Sequence, residues 1–177
     1  MAKFTVGLSA KEFRDLAKRV REYRESLSDK CDEFTRRLLD LGVGVADVAI
    51  NEVPIGKTIV LQTDIDEKTM GCKAVITMLG RETKTEDGRT FYTALAIEFG
   101  SGVRYNPVSN PKSSEFGMGV GTFPGQTHAY GPNGWWYLGD DGDWHHSYGV
   151  HASMPMYKAS KEMRENILYV AREVFES

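Results

Sequence analysis

A stripe of apolar residues near the N-terminus is the feature that most restricts how this chain can fold. Nine residues follow one another in steps of three or four positions: Phe13, Leu16, Val20, Tyr23, Leu27, Cys31, Phe34, Leu38 and Leu41. This spacing places all of them on one face of an α-helix. The steps alternate between three and four positions, as in a heptad repeat, except at Leu27, where two steps of four follow each other. The pattern predicts one long amphipathic helix.

Both ends of this helix carry recognisable signals. Ser9 and Glu12 have the spacing of a capping box, in which side chains satisfy the first backbone amides of a helix. Gly42 is typical of the residue that follows a helix. An unbroken helix between these signals would be about 50 Å long, more than a small domain covers. Either part of the stripe packs on a neighbouring subunit, or the helix breaks near Ser26–Asp29 and folds back onto its own domain.

The middle of the chain is predicted to contain mostly β-strands. A short helix at 46–53 ends just before a proline. β-branched residues then indicate strands at 58–63 and 73–79. A third strand is predicted at 91–99, although residues 93–96 also suit a helix.

A second amphipathic helix is predicted from Pro155 to about Phe175. Proline suits the first turn, where its missing amide costs nothing. The apolar residues on one face are Met156, Ala159, Met163, Ile167, Val170, Ala171 and Val174. The two long helices and a small antiparallel β-sheet together predict one α+β domain over residues 1–177. Within it, residues 100–153 are expected to form an extended loop or hairpin arm.

This insertion is rich in glycine and aromatic residues. Residues 100–149 hold eleven of the 18 glycines, nine aromatic residues and all three tryptophans. Disordered linkers lack aromatic residues, and long compact loops are uncommon unless they are functional. Residues 135–146 have the pattern of a β-hairpin with Asp141 and Gly142 in its turn. Its aromatic side chains either contact adjacent subunits or cover the chain's own sheet.

Two short motifs flank the insertion. Ala96-Ile97-Glu98-Phe99-Gly100-Ser101-Gly102 precedes it, and Met154-Pro155-Met156-Tyr157-Lys158-Ala159 follows it. Together they resemble the neck and minor tail-component family of long-tailed bacteriophages. Members typically carry Glu-(Phe/Tyr)-Gly-(Thr/Ser)-Gly after an aromatic residue or valine, then a variable loop and a last helix that starts at proline. The resemblance covers roughly residues 90–175, with a longer loop and Gly-Ser-Gly in place of the commoner Gly-Thr-Gly.

The resemblance implies a virion structural protein without enzymatic activity, which forms a ring that joins or completes the tail. The implied partners are further copies of this chain, a head–tail connector or stopper protein and a tail-tube protein. DNA would pass through the lumen without specific binding, and no membrane is involved. The implied location is the head–tail junction of the virion, after synthesis in the host bacterial cytoplasm. The residues expected at the ring interface are Phe99, Gly100, Gly102, Trp135, Trp136, Tyr137 and Trp144.

Charge and composition favour no catalytic or metal chemistry. The net charge of −3 provides no basic field for nucleic-acid binding. Cys31 and Cys72 are too few for a disulfide framework, so we expect buried free thiols. The histidines lie near several aspartates without any known metal-ligand spacing, and the adjacent His145 and His146 would point to opposite faces of a strand. We therefore predict no catalytic residue, no metal and no cofactor.

Glu98 leaves a rival function open. It is either a catalytic carboxylate paired with Asp140 or Asp143, as in glycosidases, or a structural acceptor. As an acceptor it would bind the backbone of residues 100–102 or form an ion pair. The catalytic interpretation, with the three tryptophans stacking on sugar rings, describes a glycan- or cell-wall-binding module or hydrolase.

Overall fold

The computed structural model describes residues 9–68, 71–84, 90–102, 110–116, 132–139 and 141–176. Its α-helices are α1 (Ala10–Asn51), α2 (Thr93–Phe99) and α3 (Pro155–Phe175). Its strands form three antiparallel pairs: β1 (Val60–Lys68) with β2 (Gly71–Leu79), β3 (Glu82–Lys84) with β4 (Thr90–Tyr92), and β5 (Trp135–Leu138) with β6 (Trp144–Ser147). The predicted α+β class is confirmed, with two long helices and small antiparallel sheets.

Helix α1 begins as predicted but runs further. The amide of Glu12 donates to Oγ of Ser9 at 3.2 Å, and the amide of Ser9 donates to the Glu12 carboxylate at 3.0 Å. The helix does not break near Ser26–Asp29, and it passes through Gly42 without ending. The separate helix predicted at 46–53 is therefore wrong, since most of those residues belong to α1. Its 42 residues give a length of about 63 Å.

Gly42 serves packing instead of helix termination. A Cβ atom at this buried position would lie 2.7 Å from Sδ of Met163 and 2.9 Å from Cδ1 of Ile76. The missing side chain lets α3 and β2 approach α1 closely. A glycine inside a helix costs about 1 kcal/mol relative to alanine, so tertiary packing offsets a local penalty here.

Helix α3 runs antiparallel to α1 and covers only part of it. At one end Lys158 forms an ion pair with Glu52 at 3.1 Å. At the other end the rings of Phe34 and Phe175 are 5.9 Å apart. The residues of α1 before Phe34 extend beyond the end of α3. The buried apolar side chains of this helix pair are Leu39, Ala46, Ala49, Ile50, Ala159, Val170 and Val174.

Strands β1 and β2 form a hairpin that is longer than predicted. Pairing runs from Val60 opposite Leu79 to Lys68 opposite Gly71. The predicted strands at 58–63 and 73–79 underestimated both, because the charged residues at the end of β1 also pair. Alternate residues of β2 are partly buried, and these include Ile76, which contacts α1 at Gly42. Both cysteines are free thiols but are only partly buried, which corrects the prediction of buried thiols.

The third predicted strand is wrong beyond Tyr92. Residues 93–99 form α2, as the helical alternative for 93–96 proposed. Thr93 follows the end of β4 and is hydrogen-bonded to Arg81, which precedes β3. The Thr93 amide donates to the Arg81 carbonyl at 3.0 Å, and Oγ1 of Thr93 accepts from the Arg81 amide at 2.7 Å. Since β4 stops there, the strands form separate pairs rather than one sheet.

Candidate assembly interface

The motif after α2 is a glycine turn held against the chain that leads into α3. Gly100 and Gly102 adopt φ angles of 75° and 77°, a conformation that glycine tolerates because it has no Cβ. Between them, Ser101 is fully buried and pairs with Val150: each amide donates to the other's carbonyl, at 2.8 and 3.2 Å. A Cβ at Gly102 would lie 2.6 Å from the carbonyl oxygen of Tyr148. Both glycines, predicted at a subunit interface, are buried within this chain.

Glu98 joins α2 to the first turn of α3. One carboxylate oxygen accepts from the amide of Met156 at 2.8 Å, and the other accepts from the amide of Tyr157 at 3.0 Å. Nδ2 of Asn110 also donates to this second oxygen at 3.0 Å. The first amides of a helix lack partners within the helix, and the helix dipole favours a negative charge there. The Glu98 carboxylate therefore binds the first turn of α3. The predicted alternative, in which it accepts from the amides of residues 100–102, is wrong.

Burial controls the titration of this carboxyl. Desolvation raises the pKa of Glu98 above its ordinary value, and the hydrogen bonds from Met156, Tyr157 and Asn110 oppose that rise. The side chain is 8% exposed. Three donors already occupy its oxygens, so its geometry suits a structural link between two helices.

The entry to α3 is fixed by the last turn of α2 as well. The amides of Ser153 and Met154 both donate to the carbonyl of Ile97, at 3.0 and 3.3 Å. Met154 has a φ of 56°, the left-handed conformation that a non-glycine residue adopts only when its surroundings hold it there. Sequence reasoning missed Asn110 and this helix-to-helix contact. Pro155 is the signal that could have predicted this contact, because it marks a helix N-terminus whose first amides need an acceptor from elsewhere in the chain.

Phe99 belongs to the core of the chain itself. It is 4% exposed, and it packs with Ala96 against Phe91, Leu95 and Val150. Its ring lies 5.4 Å from that of Phe116. Phe99 therefore packs inside the chain itself, and its place at a subunit interface stays a prediction.

The aromatic hairpin forms as predicted, with Asp141 and Gly142 in its turn. Gly142 has a φ of 83°, and the Gly139 amide donates to the carbonyl of Asp143 at 2.8 Å. Strand register places alternate side chains on opposite faces. One face, which we call the aromatic face, consists of Trp136, Leu138, Trp144 and His146.

The aromatic face is widely exposed. Trp136, Leu138 and Trp144 are 63%, 59% and 66% exposed. The His146 ring packs edge-on against the ring of Trp136 at 4.9 Å and against the ring of Tyr148 at 4.6 Å. An exposed apolar surface of this kind is typical of a binding site.

On the opposite face, Trp135 attaches the hairpin to the body of the protein, whereas Tyr137 is 48% exposed. Trp135 is partly buried beside the glycine turn. A Cβ added at Gly102 would lie 3.2 Å from Cζ3 of Trp135. Tyr137 stacks on His145 at 5.6 Å, and Nε2 of His145 is 2.9 Å from the Asp141 carboxylate. This hydrogen bond lowers the pKa of Asp141. Of the predicted interface residues, the hairpin thus presents Trp136 and Trp144 on one face, and Trp135 and Tyr137 on the other.

His145 and His146 do lie on opposite faces of the hairpin, as expected from their adjacency. Among the residues that the structure describes, no group of three His, Cys, Asp or Glu side chains is arranged to hold a metal ion. His128 and Asp140 lie outside the described residues.

The N-terminal part of α1 carries a second exposed apolar surface. We call residues 10–27 the α1 extension. Four of its five stripe residues, Phe13, Val20, Tyr23 and Leu27, are 52%, 45%, 48% and 42% exposed, and Leu16 is partly buried. The stripe becomes half-buried from Cys31 onward, and Phe34 packs against the end of α3 at Phe175. The four-residue step at Leu27 therefore coincides with the boundary between the exposed and the covered parts of the stripe.

Comparison with models of protein families, with curated proteins and with solved structures finds no match to this chain. None of the helices within the described ranges is both long and apolar enough to cross a membrane.

Proposed function

We propose that this protein is a virion structural protein of the head–tail neck or tail terminus, which assembles into a ring that joins or completes the tail. One observation carries the proposal: among the described residues, the aromatic face and the stripe of the α1 extension are both exposed apolar surfaces. Surfaces of this kind mark interaction sites on soluble proteins. The resemblance of residues 96–102 and 154–159 to phage neck proteins indicates the type of assembly.

The Glu98 junction supports this role. Glu98 ties α2 to α3, and the Ser101–Val150 pair closes the base of the insertion. A hairpin attached to such a base is presented to a neighbour with little loss of conformational freedom on binding. Burial of its tryptophans against another copy would then favour the assembled ring by mass action.

The proposed partners are further copies of the chain, a head–tail connector or stopper protein on one side and a tail-tube protein on the other. DNA would pass through the lumen without specific binding. Residues 100–149 carry four acidic and two basic side chains, so a lumen lined by this segment would not hold the DNA backbone.

The test is the mass of the purified protein across a hundredfold range of concentration, by light scattering after size exclusion. We expect a discrete oligomer, with six or twelve copies by analogy with the resembled family, and a closed ring in negative-stain electron micrographs. The double substitution Trp136→Ser with Trp144→Ser should reduce the mass to that of smaller species. Leu168→Ser, at an apolar α3 residue that is 71% exposed, is the matched control. A monomer at every concentration contradicts the proposal.

A second candidate function rests on the placement of Trp136 and Trp144. Both are exposed on one face of the hairpin, an arrangement that suits stacking on sugar rings. Glu98 does not support the hydrolase form of this candidate, because it is buried and bound by three donors. Co-sedimentation with purified bacterial cell walls tests it: binding that is lost in Trp136→Ser with Trp144→Ser, in a protein that stays monomeric, would favour a glycan-binding module.

A further inference from the structure

We propose that the two exposed surfaces are the two halves of one contact: the stripe of the α1 extension in one copy lies across the aromatic face of the next copy. This inference rests on the proposed ring and names the surfaces that close it. It assigns a single occupant to both faces, a second copy of this chain.

The two surfaces carry opposite charge. Residues 132–150 contain three aspartates and no lysine or arginine, and Asp141 and Asp143 are exposed beside the aromatic face. Residues 9–30 contain seven lysines and arginines against five acidic residues. In the heptad that the stripe defines, Arg19 and Arg24 flank the central residues Val20 and Tyr23, whereas Glu12 and Ala17 flank its N-terminal end. The basic centre of one apolar surface thus matches the acidic border of the other.

Each surface is poorly suited to a copy of itself. Two α1 extensions paired in parallel would bring Arg19 of one copy beside Arg24 of the other, and an antiparallel pair centred on the stripe would bring the two copies of Arg19 together. Two aromatic faces would offer no lysine or arginine to the aspartates of either hairpin. Contact between unlike surfaces avoids both problems. Such a head-to-tail contact repeats from copy to copy and closes into a ring when its rotation allows.

The two surfaces also match in length. The four-residue strands of the hairpin span about 13 Å. Leu16, Val20 and Tyr23, at the centre of the stripe, span about 11 Å of helix. One aromatic face therefore covers the central apolar residues of the extension and reaches the arginines that border them.

A mixing experiment with two variants tests the contact. Trp144→Glu damages the aromatic face and leaves the stripe intact, whereas Val20→Glu damages the stripe and leaves the aromatic face intact. Both residues are exposed, at 66% and 45%, so neither change should prevent folding; circular dichroism and thermal unfolding check this. We expect each variant alone to be monomeric. An equimolar mixture should form a one-to-one dimer of twice the 19.8 kDa chain mass and nothing larger, because one intact contact remains.

Native mass spectrometry with one variant labelled with ¹⁵N identifies that mixed dimer. Leu168→Glu introduces the same charge at an exposed apolar residue of α3 and should assemble like the unmodified protein. Two results would overturn the inference while the unmodified protein still forms an oligomer. Either variant alone still dimerises, or the equimolar mixture stays monomeric. The proposed ring stands in both cases. If the unmodified protein is a monomer at every concentration, the proposed ring itself fails and the contact fails with it.

Discussion

The carboxylate of Glu98 accepts a hydrogen bond from the backbone amide of Met156 at 2.8 Å, although the two residues are 58 positions apart in the chain. This bond and its neighbour from Tyr157 place the end of α2 against the start of α3. The insertion therefore leaves and rejoins the body of the protein at nearly the same place.

Removal of this carboxylate should destabilise the fold. Glu98→Ala leaves the amides of Met156 and Tyr157 without their acceptor in a buried site, so we expect a loss of about 2–4 kcal/mol in the free energy of unfolding. Urea denaturation followed by circular dichroism measures it. Glu115→Ala removes an exposed carboxylate that pairs with Lys112, and it should change stability by less than about 0.5 kcal/mol. Equal effects of the two substitutions would contradict the role assigned to Glu98.

The pH dependence of stability should carry the signature of Glu98. Burial raises its folded-state pKa above the ordinary value of 4.5, so the folded protein binds a proton more readily than the unfolded chain. The stabilisation from this group is then fully present below about pH 4.5 and is lost as the pH rises through the folded-state pKa. We expect the stability of the unmodified protein relative to Glu98→Gln to increase as the pH falls from 7 towards 4.5. Urea midpoints at half-unit pH intervals measure this, and a decrease over that range would contradict the assignment.

Two glycines of α1 should respond in opposite directions to a side chain. Gly42→Leu forces a side chain into space occupied by Met163 and Ile76, and we expect a loss of about 1–3 kcal/mol. A Cβ at Gly44 would meet no heavy atom within 4 Å, so Gly44→Ala should stabilise the helix by about 0.5–1 kcal/mol. Thermal unfolding of the two variants distinguishes the cases. Stabilisation by both would mean that α1 does not pack closely at Gly42.

The turn glycines provide a separate comparison. Gly102→Ala strains a φ of 77° and places a Cβ against the Tyr148 carbonyl, so we expect a loss of about 2–4 kcal/mol and a change in the fluorescence of Trp135 nearby. Gly142→Ala strains a φ of 83° in open space and should cost only about 1 kcal/mol. A larger cost at Gly142 than at Gly102 would contradict the close approach of the hairpin base to the glycine turn.

The features that the sequence alone determined depend on neighbours a few residues apart. The capping box of Ser9 and Glu12, the start of α3 at Pro155 and the turn at Gly142 were predicted correctly. A cap needs residues three positions apart, and a tight turn needs one residue that tolerates positive φ. The course of α1 beyond Gly42 was not predictable in this way, because the penalty of a helical glycine is local and the packing that offsets it comes from Met163 and Ile76.

The tertiary structure decided which residues are internal and which face outward. Phe99, just before the insertion, and Trp136, within it, are both aromatic residues predicted at an interface, yet one is 4% exposed and the other 63%. Glu98 was recognised as unusual, but its partners are amides of a helix that begins far along the chain. Burial is a property of the assembled surface, to which segments distant in sequence contribute, whereas capping and turn formation are properties of a short segment. The sequence therefore determined where α1 and α3 begin and where the hairpin turns, and only the packing of those elements decided which side chains remain available to a partner.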